Sequence, residues 1–282
     1  MQLGLRYESV YRYEELVGFS PHEVRLFPRV DRFGRVRRFS FRVNGTAAIR
    51  YARDVFDNVV ASCFFPERLQ ELRFDLEIDL ELDEKDAFDF ILESNAVEMP
   101  LTYDAELAAI LAPYLKRQTS GSLTIPGWTP PEVERVGTVT SLVSLNHTLH
   151  QCIVYERRED GAALTPEETL RLGRGACRDV AVLLAEVLRG AGLAARLVSG
   201  YLRETDPETR RAEGSLHAWT EVFLPGAGWV GMDATNGVFT NHNFIAAAVG
   251  LTPAHITPIA GVYYHKHGVP SKMTSRLEML QL

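Results

Sequence analysis

Residues 173–190 read GRGACRDVAVLLAEVLRG, and this stretch decides the fold. Val180, Leu183, Leu184, Val187 and Leu188 recur at i, i+3, i+4, i+7 and i+8, the spacing of an α-helix with one apolar face. Ala181, Val182 and Ala185 occupy other faces, so the helix is expected at the centre of a domain. Gly190 and Gly192 end it. Cys177 opens it, where the free amides of the first turn and the positive end of the helix dipole favour a thiolate. Gly173 and Gly175, just upstream, permit close approach of a substrate backbone.

A thiol nucleophile needs a base within hydrogen-bonding reach, and the base needs a third group to fix its ring and tautomer. Downstream, Ala194–Leu202, His217–Leu224 and Trp229–Asp233 read as strands, the last two joined by Pro225-Gly226-Ala227-Gly228. An antiparallel hairpin turning near Pro225 brings His217 and Asp233 to adjacent strands. Alternation puts His217, Trp219, Glu221 and Phe223 on one face, and Trp229, Gly231 and Asp233 on one face of the partner. Taken singly, His217 reads as a structural histidine and Asp233 as a cap of the turn Ala234-Thr235-Asn236-Gly237. Together with Cys177 they form the expected nucleophile, base and orienter of acyl transfer. The Cys177 backbone amide is one oxyanion donor by position. For a second, Gln151, His150 and Trp128 are available upstream, Gln151 first, although each residue type also has ordinary structural uses.

Working outward, Thr165-Pro166-Glu167-Glu168 is a helix start, Val139–Tyr155 has helical character, and Leu107, Ala108, Ile110, Leu111 and Leu115 follow helical spacing. Before Met99-Pro100 the pattern differs. Leu72, Phe74, Leu76, Ile78, Leu80 and Leu82 alternate with Arg73, Asp75, Glu77, Asp79 and Glu81, a strand with one apolar and one acidic face. Segments 5–14, 22–30 and 37–43 are short, rich in aromatic and β-branched residues, and separated by turn signals. The expected architecture is α+β: an N-terminal β-sandwich over residues 1–96, then a core over 97–282 with its central helix packed on an antiparallel sheet.

The same residues resemble a known family. Gly175-Ala176-Cys177-Arg178-Asp179, His217-Ala218-Trp219-Thr220-Glu221-Val222 and Gly228-Trp229-Val230-Gly231-Met232-Asp233-Ala234-Thr235-Asn236-Gly237 are similar to the bacterial transglutaminase-like proteins. Tyr11, Tyr13, Ser20-Pro21, Arg25-Leu26, Pro28-Arg29 and Phe56-Asp57-Asn58 resemble that family's N-terminal β domain, and Gly261-Val262-Tyr263 extends the likeness almost to the end. Val180 stands where an aromatic is common and Ala234 where proline is common, and neither change removes a catalytic group. The resemblance implies a papain-like catalytic fold with Cys177 as nucleophile, His217 as base and Asp233 as orienter. Relatives of that fold include transglutaminases, cysteine proteases, deglycosylating amidases and inactive binding modules, so it leaves the reaction open.

Across the 282 residues, 46% hydrophobic and 24% charged content is that of an ordinary folded chain. A net charge of −7 argues against whole-chain affinity for nucleic acid or anionic membrane. With no apolar run long enough for a membrane helix and no signal-peptide pattern at Met1–Glu8, a cytoplasmic location is expected. There the sequons Asn44-Gly45-Thr46 and Asn146-His147-Thr148 would stay unmodified. No cofactor is expected. Neither His147 and His150 nor His265 and His267 have the further ligands of a metal site, and Cys63 and Cys152 read as core thiols. Residues 25–42 hold seven arginines and residues 67–89 ten acids, which are expected to pair with each other. The expected partner is a peptide or protein substrate. The loop Arg203–Ser215 mixes Asp206, Glu208 and Glu213 with Arg203, Arg210 and Arg211, without bias toward a lysine acceptor, so hydrolysis is favoured over amine transfer.

Overall fold

The computed structural model describes residues 1–29, 34–121, 123–131, 135–158, 161–203 and 216–282. Among the described residues four α-helices accompany the strands: α1 (Ala105–Leu115), α2 (Thr138–Cys152), α3 (Pro166–Leu172) and α4 (Cys177–Gly190). Helix α4 is the central one. Leu183, Leu184 and Leu188 are fully buried, in one cluster with Ala218, Val222 and Leu224 of the neighbouring strand. The Thr220 hydroxyl donates to the Ala181 carbonyl at 2.8 Å, pinning the strand to the helix.

The sheet behind α4 is antiparallel, with five strands in the order Val238–Phe239, Gly228–Asp233, His217–Leu224, Ala195–Leu202, Phe244–Gly250. Its hairpin pairs Phe223 with Trp229 and Thr220 with Met232, the register expected from a turn near Pro225. Helix α3 starts as its sequence requires: Glu168 N–H donates to Thr165 Oγ1 at 3.2 Å and Thr165 N–H donates to Glu168 Oε2 at 3.1 Å. Helix α2 is shorter at its end than the helical reading of Val139–Tyr155. Val154 and Tyr155 leave it to pair in parallel with Arg174 and Gly175, just before Cys177. That bridge takes the backbone bonds that another helical turn would have used.

The N-terminal region is two sheets around a shared core that includes Leu3, Leu5, Val24, Cys63, Phe74 and Ile78. One is centred on Gln2–Phe19, paired with Leu69–Leu82, which in turn pairs with Gly34–Val43. The other orders Ile259–Ala260, His22–Val24, Val59–Phe64, Ala48–Arg53. Strand Leu69–Leu82 buries Leu72, Phe74, Leu76, Ile78, Leu80 and Leu82, as its alternation requires. On its acidic face Arg42 meets Glu77 at 3.0 Å, Arg12 meets Glu71 at 2.9 Å, and Arg37 pairs with Glu81. The arginine-rich and acid-rich segments thus lie side by side on one sheet.

The end of the chain returns to its beginning. Strand Ser271–Gln281 pairs antiparallel along Leu3–Tyr13, and Ile259–Ala260 joins the second sheet. A cut at residue 96 therefore parts strands that share a sheet. The β unit also packs on the core: Tyr201 and Ile245 of the core sheet are buried in its apolar cluster, and the Tyr201 hydroxyl donates to Leu26 O at 2.7 Å. The fully buried Asn58 side chain accepts from Val249 N–H at 2.9 Å and donates to Val249 O at 2.8 Å. It occupies the hydrogen-bonding edge that the last core strand leaves open.

Candidate active site

Three elements meet at the start of α4. Ala176, extended at φ −78° and ψ 168°, precedes the helix and Cys177 is its first residue, half-buried. His217 opens its strand and Asp233 ends the neighbouring one. His217 Nε2 lies 2.8 Å from Asp233 Oδ2, and the pair is buried. Cys177 lies beside the same imidazole and beside the Ala218 backbone amide, close enough for both to act on its thiol. Because Nε2 faces Asp233, Nδ1 is the nitrogen left for the thiol. Asp233 makes the contacts of both readings. Its Oδ1 accepts from Thr235 N–H at 3.0 Å, as a turn cap, while Oδ2 takes the imidazole and Asn236 Nδ2 at 2.6 Å.

Burial opposes every charge in this group, and the mutual contacts outweigh it. For Cys177, desolvation raises the thiol, but the hydrogen bond and charge of His217 and the Ala218 amide bring it below the ordinary value. For His217, burial favours the neutral ring, yet Asp233 and the thiol hold it well above the ordinary imidazole range. Asp233, also penalised by burial, is kept below the usual carboxylate range by His217, Asn236 and Thr235. Each contact thus favours the charged form of its partner. Cys63 shows the contrast: burial with no compensating partner pushes its thiol up to about 12. Cys152 is half-buried, its sulfur 3.9 Å from Pro126 O.

The three residues considered for the second oxyanion donor each have another hydrogen-bond partner. Gln151 is exposed and its amide faces His147 Nε2 at 2.8 Å, one turn back on α2. The His150 ring bonds Thr235 O at 2.9 Å, supporting the turn after Asp233. Trp128 is in the core and donates to Ser141 O at 3.3 Å. Among the described residues no group of three or more His, Cys, Asp or Glu side chains is arranged to hold a metal.

Residue-by-residue reading misses two features. Trp219 stacks over His217 at 6.2 Å with an interplanar angle of 25°, a consequence of the i, i+2 alternation already visible in the sequence. Asp179 is completely buried at the third position of α4 and tied to the backbone of Ala176. Its place among apolar residues was the signal available for it.

Residues 129–234, which contain Cys177, His217 and Asp233, match the transglutaminase-like superfamily, and residues 3–81 match the bacterial transglutaminase-like N-terminal region. The chain belongs to the transglutaminase-like superfamily. It is 30% identical over 146 residues to the uncharacterized protein ML0607 of Mycobacterium leprae, covering 47% of this chain and 52% of that protein. To the uncharacterized protein Rv2569c of Mycobacterium tuberculosis it is 35% identical over 105 residues, covering 34% and 33%. The matched part thus spans about half or less of these relatives. A crystal structure from Cytophaga hutchinsonii, described as a candidate cysteine protease, superposes over 100% of this chain and 91% of its own. Its TM-score is 0.72 at 14% identity, a likeness of fold. Among the described residues no helix is long and apolar enough to cross a membrane.

Proposed function

We propose that this transglutaminase-like protein is a thiol-dependent enzyme that hydrolyses peptide or amide bonds through an acyl-thioester on Cys177. One observation carries the reading: a buried imidazole bonded to a carboxylate at 2.8 Å, beside the cysteine that opens a buried helix. His217 holds the thiol proton, and the Cys177 thiolate attacks the carbonyl carbon of the amide. The developing oxyanion lies near the Cys177 amide, one of the first-turn N–H groups that an α-helix leaves without an internal acceptor. As the C–N bond breaks, His217 gives its proton to the departing amine or ammonia. Water then loses a proton to His217 as it attacks the thioester, and collapse releases the acid and restores the thiolate. Asp233 keeps the ring oriented and its charge compensated throughout.

Water is the acceptor in this reading, and a primary amine in the transglutaminase alternative. The mixed charge of the loop Arg203–Ser215 supports water, although residues 204–215 lie outside the described residues. A second alternative, a binding protein on the same fold, is disfavoured by the lowered Cys177 thiol and its half-buried position. A reducing cytoplasm would suit a free catalytic thiol, and cell fractionation tests that location.

Iodoacetamide at mildly acidic pH is expected to label Cys177 before Cys63 or Cys152 in the folded chain, and faster labelling of either other thiol removes the assignment. A glutamine peptide with excess primary amine is expected to give mainly the free acid. A dominant amine adduct replaces the hydrolase reading with the transferase.

A further inference from the structure

We infer that Asp179, held by Arg158, is a positioning residue for Cys177: it fixes the backbone turn at Ala176 from which the nucleophile projects toward His217. The inference rests on the function proposed above for Cys177.

The carboxylate of Asp179 uses both oxygens. Its Oδ2 accepts from Ala176 N–H at 2.8 Å, while Oδ1 accepts from Leu164 N–H at 2.8 Å and from Arg158 Nη2 at 2.7 Å. Arg158 reaches further, donating to Ala162 O at 2.8 Å and accepting at its own carbonyl from Arg178 Nη1 at 2.8 Å. The residues on either side of Cys177 are thus tied into one loop, Ala176 through Asp179 and Arg178 through Arg158. Gly175 makes this possible: a Cβ there would sit 2.9 Å from Asp179 Cβ and 3.3 Å from its Oδ2.

Stability alone is a poor reason for this arrangement. A carboxylate with no solvent exposure, paired with an arginine, recovers little beyond its desolvation cost, and serine or threonine caps a helix without that cost. What the pair adds is rigidity in the backbone on which the thiol rests, with the carboxylate charge met where it would otherwise oppose the thiolate. The charges that act on the thiol are His217 and Asp233 from the sheet; α4 itself carries Asp179 and Arg178, and the segments before it carry Arg158 and the Glu156 and Arg174 pair.

The test follows iodoacetamide labelling of Cys177 in the full-length chain by mass spectrometry from about pH 5 to about pH 9, with Tm recorded for each variant. Gly175→Ala displaces the carboxylate and Arg158→Met strands it. Each is expected to move the labelling inflection up by about one pH unit and to slow labelling at pH 6 about tenfold. Adding Asp179→Asn to Arg158→Met removes the stranded charge and is expected to return the inflection at least part of the way. Arg158→Lys, which keeps the charge, is expected to stay near the wild type. If both single variants keep the wild-type inflection, whatever their Tm, the positioning role is overturned and the proposed function stands. If wild-type Cys177 is not labelled ahead of the other two cysteines, the proposed function falls and this inference with it.

Discussion

At the residue scale, the site is defined by three groups whose desolvation each partner offsets. Asp233→Asn preserves size but removes the charge that supports the imidazolium. Labelling of Cys177 by iodoacetamide at pH 6 is expected to fall at least about 100-fold while far-ultraviolet circular dichroism stays unchanged. Unchanged labelling would return Asp233 to its role as a turn cap. The directions of the shifts also fix a pH dependence of stability. Asp233 is lowered in the folded state, so its contribution is full above the unfolded carboxylate value of about 3.9 and is lost as pH falls through the folded one. His217 is raised, so its contribution is full below about 6.5 and is lost as pH rises through its folded value. The Tm difference between wild type and Asp233→Asn is therefore expected to be largest between about pH 4 and about pH 6.5 and to shrink on both sides. A difference that is flat with pH would contradict the coupling.

At the element scale, α4 is held by packing and α3 by its ends. Leu184 is fully buried between helix and sheet, so Leu184→Ala is expected to cost about 2–5 kcal/mol in urea denaturation. Thr165→Ala removes only the capping box of α3 and is expected to cost about 1 kcal/mol. Equal losses would contradict the packing account of α4. Helix α4 and the hairpin were legible because their periods are unbroken over Val180–Leu188 and across the turn at Pro225-Gly226-Ala227-Gly228. The end of α2 was not. Val154 and Tyr155 continue a helical pattern locally, and only the nearness of Arg174 and Gly175 turns them into a bridge.

At the scale of the whole molecule, the two units share structure. Asn58 fills the open edge of the last core strand, so Asn58→Ala leaves the Val249 amide and carbonyl unpaired in a buried place. The expected cost is about 1–3 kcal/mol by urea denaturation, and a neutral result would make the contact incidental. Removing residues 1–96 strips the long partner from strand Ser271–Gln281 and uncovers Tyr201 and Ile245. The truncated chain is expected to aggregate or to lose its cooperative transition. Full solubility with unchanged Cys177 labelling would show the core to be independent.

By itself the sequence determined the central helix with its cysteine at the start, the hairpin that brings His217 to Asp233, and the sheet strand with one acidic face. Each is a matter of local period and turn chemistry, which the backbone reads over a few residues. Only the tertiary structure decided that the chain's last strands complete its first sheet, that Gln151, His150 and Trp128 bond His147, Thr235 and Ser141, and that Asp179 ties down the backbone before Cys177. Those outcomes depend on contacts between residues far apart in the chain. Any one strand edge or amide has several acceptable partners locally, and packing of the whole molecule selects among them.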